Sequence, residues 1–128
     1  MTAQHGQTAT LTHTVTSSDT ALAAGSGDLE VLATPVLLAW CEAASCAALE
    51  VDEGSTSVGT RIELEHLAAS AVGSSISTTA TITHVDGPLI KFQVVAVDQA
   101  QRLVANGEIR RVIVDRDRFL DRLLRVEE

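Results

Sequence analysis

Three side chains of this chain have the types and spacing to share acid–base work: Thr34, Glu42 and His66. Glu42 is the single charged residue between Pro35 and Leu49, in a run of otherwise apolar and small residues. An ionised carboxylate among such neighbours costs several kcal/mol unless it is paired or hydrogen-bonded. His66 lies near the end of Thr60-Arg61-Ile62-Glu63-Leu64-Glu65-His66-Leu67. There a period of two puts Ile62, Leu64 and His66 on one face and Arg61, Glu63 and Glu65 on the other. A lone histidine on an apolar face is more often a satisfied core residue than a catalyst. A carboxylate entering the same interior from a second element changes that expectation, because the two groups can then meet in a sheltered pocket. Desolvation raises the carboxylate pKa and lowers that of the imidazole, mutual attraction opposes both shifts, and such pairs recur where protons are moved.

Each residue also has a plainer reading. Glu42 can be a buried, hydrogen-bonded carboxylate that stabilises a helix–sheet contact. Thr34 can be a simple helix cap. A helix N-terminus nevertheless presents free N–H groups and positive dipole, so a carbonyl oxygen bound there would be stabilised as it gains charge.

The elements that must hold these groups follow from the local pattern. Thr34 is a good N-cap and Pro35 suits the first helical position, so a helix is predicted to begin at Thr34 and run to Leu49. With no polar face it reads as buried all round, and it is too short to span a membrane. Trp40 is expected to fill space between this helix and a sheet. Residues 8–16 form a Thr-rich strand, and residues 17–30, rich in Ser, Gly, Asp and Ala, are read as a mobile loop of functional length. Residues 56–67, 73–85, 89–98 and 102–114 are predicted strands; turn-sized connections make them an antiparallel meander, with a bulge at Asn106-Gly107. Residues 1–7 are expected to be loose and 115–125 to form a short amphipathic helix. One sheet can wrap one apolar helix only by curving around it. The prediction is therefore a single α+β domain over residues 1–128 with the hot-dog fold.

Composition removes several function classes. The net charge is −8, and Trp40, Phe92 and Phe119 are the whole aromatic set, so phosphate-backbone binding and base stacking are both disfavoured and no nucleic-acid partner is expected. Residues 1–109 carry 3 basic and 12 acidic side chains, whereas residues 110–128 carry 6 and 5. An anionic ligand would meet the arginines of the carboxyl-terminal segment, although such a cluster is more commonly a solvated helix face. Cys41 and Cys46, five apart on one helix, make neither a disulfide nor a metal pattern and are read as buried free thiols. Ser45 lacks the glycines of a nucleophile elbow. No signal peptide or membrane-spanning segment is evident, which makes a cytoplasmic protein the expectation.

Five short motifs carry a resemblance: Ala33-Thr34-Pro35, Glu42 eight residues beyond Thr34, Val58-Gly59-Thr60, Glu65-His66-Leu67 and Val72-Gly73. In this order and spacing the chain resembles the fluoroacetyl-CoA thioesterase family of hot-dog proteins from about residue 8 to Phe119. The resemblance implies hydrolysis of a small acyl-CoA thioester, with CoA as part of the substrate and no separate cofactor or metal. It implies that Glu42 is nucleophile or general base, that His66 assists water activation or thiolate departure, and that Thr34 orients the site. Gly59 falls where relatives bring backbone close to the acyl group, and Arg111 where it would lie near the CoA phosphates. It further implies a homodimer with sites at or near the subunit interface. Two departures stand out. Residues 17–33 contain no aromatic, although relatives selective for the fluorinated substrate close the acyl pocket with aromatic side chains. The last-strand Gly-x-His-x-Arg of a relative stands here as Gly107-Glu108-Ile109-Arg110-Arg111, without its His. The competing readings are a non-catalytic acyl-CoA-binding or scaffold dimer and, third, an enoyl-thioester hydratase, for which the loop before the helix lacks a histidine.

Overall fold

A computed structural model describes residues 3–127. Five strands, β1 (Thr8–Thr14), β2 (Ser55–His66), β3 (Ser75–Asp86), β4 (Leu89–Val97) and β5 (Leu103–Asp115), form one antiparallel sheet in the order β1-β3-β4-β5-β2. The main helix, α2 (Thr34–Ala48), lies across it, packed chiefly on β1 and β3, after a short α1 (Ala21–Ala24). A third helix, α3 (Arg116–Glu127), closes the described chain. This is the α+β hot-dog arrangement expected from the pattern. Only β3, β4 and β5 form a meander, however. Strand β2 pairs with β5 at the far edge, and residues 67–74 cross back to β3, held there because Leu32 N–H donates to the Ser70 carbonyl and Val31 bridges Ala71.

The core is built by alternation. Ile90, Phe92, Val94 and Ala96 of β4 point inward with Ile76, Ile82 and Ile109, and Leu37, Cys41, Ala44 and Ala48 of α2 meet them. Spacings of four, three and four residues place these helical side chains on one stripe. The opposite stripe, Pro35, Ala39, Ala43, Cys46 and Ala47, is exposed, so α2 is not buried all round. Its outer face escapes notice in the sequence because alanine is apolar yet tolerates solvent. Cys46 is exposed for the same reason, whereas Cys41 is buried, and burial pushes its thiol up to about 11. Trp40 is half-buried and stacks on His13 with ring centroids 4.6 Å apart.

Three further expectations change. Residues 17–30, expected as a loop, hold a turn of 3-10 helix and the short α1: Asp19 accepts from the Thr16 backbone, Thr20 caps α1, and Gly25 closes it at φ 74°, a conformation glycine adopts without strain. Residues 1 and 2 lie outside the described residues, but residues 3–7 are tied to β3, with Gly6 N–H donating to Ile82 and Ile82 N–H to Gln7, both at 2.8 Å. Asn106-Gly107 keeps regular register with Leu64 and Glu65. Gly107 is needed there because a Cβ would collide with the Glu63 carbonyl oxygen. Strand β2 instead shifts register between Gly59 and Arg61, leaving Thr60 as the bulged residue.

Candidate active site

The bulge at Thr60 decides which residues of β2 face the helix. Before it Ser57 and Gly59 point toward α2; after it Ile62, Leu64 and His66 do. A two-residue period alone would put Gly59 and His66, seven apart, on opposite faces, and one extra residue cancels the mismatch. Strand β2 thereby presents one candidate site residue to each end of α2.

At the N-terminal end, Thr34 Oγ1 lies 2.7 Å from His66 Nδ1. The expected cap is displaced by one position: Ala33 is the N-cap, Thr34 the first helical residue and Pro35 the second. The threonine hydroxyl is thus free of capping duty and engages the imidazole. The other ring nitrogen, Nε2, is buried with no hydrogen-bond partner among the described residues. Burial holds the His66 pKa below its ordinary range, with the Ala68 backbone opposing more weakly, so the neutral ring is favoured. Thr34 and His66 line a cleft of about 290 Å³ whose remaining walls include Ala21, Val31, Leu32, Leu67 and Ala68. None of its lining residues apart from His66 is ionisable. A threonine oxygen, a neutral imidazole with one unengaged nitrogen and the start of a helix therefore converge on an apolar cleft.

Two turns along the helix the chemistry is ionic. Glu42 Oε2 accepts from Arg111 Nη1 at 3.2 Å; the arginine side chain is 8% exposed and the glutamate 34%. Arg111 also donates from Nε to Ser57 Oγ at 2.9 Å and from Nη2 to the Ser57 carbonyl at 3.1 Å. All three guanidinium nitrogens are engaged inside the fold, so Arg111 is not at the surface position where CoA phosphates were expected to meet it. Glu42 is likewise less buried than an all-round apolar helix implied, and its partner is Arg111 rather than His66. A Cβ on Gly59 would stand 2.7 Å from Glu42 Oε2, so the missing side chain makes room for the carboxylate. Ser57 was not singled out in the sequence; its place on the Gly59 face, across from Arg111, depends on the pairing of β2 with β5.

No curated protein matches the sequence significantly. The family model of the fluoroacetyl-CoA-specific thioesterases, FlK, matches residues 15–117. This chain belongs to that family. Membership makes it a thioester hydrolase with the hot-dog fold, acting on acyl-CoA. Among solved structures, the fold of this family member superposes on a Thermus thermophilus thioesterase superfamily protein with TM-score 0.90 and 22% identity, covering 97% of this chain and 93% of the other. A mutant of the fluoroacetyl-CoA thioesterase FlK in complex with acetyl-CoA gives TM-score 0.90 at 22% identity, covering 98% and 100%. A hot-dog-like protein from Thermanaerovibrio acidaminovorans gives 0.86 at 27%, covering 94% and 90%. Among the described residues no helix is long and apolar enough to cross a membrane, and no cluster of three or more His, Cys, Asp or Glu side chains is arranged to hold a metal.

Proposed function

We propose that this chain hydrolyses small acyl-CoA thioesters in the cytoplasm as a homodimer, with Thr34, Glu42 and His66 as its working residues. The observation that carries the reading is the 2.7 Å contact between Thr34 and His66 at the apolar cleft, with the second imidazole nitrogen unengaged. Glu42 attacks the thioester carbonyl directly or takes a proton from the attacking water. The carbonyl oxygen gains negative charge beside the first turn of α2, where the Thr34 and Val36 N–H groups have no intrahelical partner. Collapse of the tetrahedral adduct breaks the carbon–sulfur bond and releases the CoA thiolate; the proton given up by the attacking water passes through the His66 ring, which starts neutral and returns to neutral as it hands that proton to the thiolate. A glutamyl anhydride, if Glu42 is the nucleophile, is then opened by water.

This scheme needs Glu42 near His66, yet Thr34 and Glu42 are eight residues apart on one helix, a rise of about 12 Å. The exposed Pro35, Ala39, Ala43 and Ala47 face of α2 is a surface on which a second copy can seat, and a twofold axis there would bring one chain's Glu42 toward its partner's Thr34 and His66. Two measurements test the proposal together. Wild-type protein releases thiol from short acyl-CoA thioesters, and His66→Ala and Glu42→Ala each lower the rate by at least about 10²-fold. Mixing the two inactive variants under subunit exchange restores up to about a quarter of wild-type turnover if sites form across the axis. Full turnover by either single variant rejects the residue assignment. Absence of recovery on mixing rejects the shared site. Tight acyl-CoA binding without any hydrolysis supports the scaffold reading instead.

A further inference from the structure

Of the nine basic side chains in this acidic chain, five sit against carboxylates: Arg61, Arg102, Arg110, Arg111 and Arg125. Arg118 and Arg122 have no carboxylate partner among the described residues. They are one helical turn apart, so both project from the same side of α3. That side closes a groove of about 360 Å³ on the outer face of the sheet, floored by Val58, Val112 and Val114 and walled by Phe119. One acidic residue, Asp115, also lines it, but its Oδ1 is occupied by the Arg118 backbone N–H as the cap of α3. The groove thus pairs two uncommitted guanidiniums with a flat apolar floor, in a protein whose net charge of −8 otherwise repels anions.

Its position relates it to the site. Val58 and Thr60 line the groove, while Gly59 between them faces the Glu42 carboxylate through the sheet. The groove and Glu42 are separated by the thickness of one strand. That strand is a sheet edge, and its pairing with β5 is interrupted at this point by the Thr60 bulge.

We infer that the groove seats the phosphorylated adenosine end of the CoA thioester, with Arg118 and Arg122 on its phosphates and the adenine against Phe119 and the valines. The pantetheine arm rounds the β2 edge at the bulge toward Glu42. The inference rests on the thioesterase reading for the arm and thioester, but the nucleotide end is testable without them. Guanidinium pairs recognise phosphate oxygens through charge-assisted hydrogen bonds, and a purine supplies the apolar face that free phosphate lacks.

The test uses adenosine 3′,5′-bisphosphate, which carries neither arm nor thioester, titrated calorimetrically into the full-length protein. Binding is expected, and Arg118→Ala with Arg122→Ala weakens it by tenfold or more, on the order of losing one charge-assisted contact. In steady state the same double variant raises KM for an acyl-CoA by a similar factor with kcat kept, and leaves KM for the matching acyl-pantetheine thioester unchanged. An unchanged acyl-CoA KM, or an equal rise for both thioesters, overturns the assignment. So does competition by inorganic phosphate at the bisphosphate's own concentration, which marks a general anion site. Arginine-dependent bisphosphate binding by a protein that hydrolyses no thioester would uphold the groove and reject the thioesterase reading, keeping the two failures distinct. Both arginines project from the exposed face of α3, so an unchanged melting temperature is expected and excludes misfolding as the cause.

Discussion

The two ends of α2 solve opposite problems with the same two elements. At Thr34 the partners are a hydroxyl and an imidazole kept neutral by burial; at Glu42 they are a carboxylate and a guanidinium, both charged. Strand β2 supplies the helix-facing contact in each case, His66 at one end and Gly59 at the other. The neutral end is built around a buried ring nitrogen with no hydrogen-bond partner among the described residues. The charged end is built around satisfaction: Arg111 has each of its nitrogens engaged, and only the glutamate retains access to solvent. The difference teaches that the first pair can be dismantled at little structural cost, whereas the second is part of the fold.

The strongest way to break this contrast is to compare Glu42→Ala with His66→Ala in denaturant. Both are expected to lose turnover, but only the first leaves a buried guanidinium facing an empty position. Removing one member of a fully buried pair costs 3–5 kcal/mol; with Glu42 one-third exposed, water can partly replace it, so a loss of about 2 kcal/mol is expected. His66→Ala should stay within about 1 kcal/mol of wild type, since it frees a hydroxyl that is already exposed. Urea midpoints at constant slope measure both. Equal destabilisation would show that Arg111 does not depend on Glu42.

Protonation gives an intermediate effect. The folded His66 pKa is depressed below the ordinary histidine value of about 6.5 by burial, so below that pH the unfolded chain binds more protons than the folded one. His66 therefore costs no stability above about 6.5, and its cost grows as pH falls from there toward the depressed folded value. If the neutral ring is the working form, kcat/KM in the free enzyme declines along an acid limb with its midpoint below 6.5. Thr34→Val should move that midpoint while leaving the limb in place. Activity that instead falls as pH rises through this range would mean that the ring works as the cation.

How far such features can be read in a sequence depends on their range. The alternation of Ile62, Leu64 and His66 is local, and it correctly turns His66 toward the helix. The same rule applied to Ile109, Arg111 and Ile113 would have turned Arg111 inward, so a signal for the Glu42 partner was present and lay beside a more obvious one, the arginine-rich carboxyl end. Within one chain Glu42 and His66 do not meet, for a different reason: facing one interior does not imply meeting in it, and eight helical residues separate their anchor points on α2. The Thr60 bulge carries no composition signal at all, because it arises from pairing with β5. The helical turns in residues 17–30 were encoded by Thr16 and Asp19, by Thr20 and by Gly25, small polar residues that suit a loop and a cap equally well.

The finest probe of the charged end is Gly59→Ala. The Gly59 backbone is not in the left-handed region, so alanine brings no backbone strain. Its methyl would sit 2.7 Å from Glu42 Oε2, closer than a carbon and an oxygen can approach. A carboxylate at the end of a flexible side chain can normally swing aside, but this one is held by Arg111, itself fixed on Ser57. The small strain is therefore expected to displace the carboxylate by a few tenths of an ångström and leave the fold intact. Stability should change by less than about 1 kcal/mol, while kcat falls by about tenfold through misplacement of the carboxylate proposed to attack. Thermal melting and steady-state rates on one preparation separate the two effects. Wild-type kcat in a variant that melts normally would show that the carboxylate works from more than one position, whereas a collapse in stability would assign Gly59 to packing.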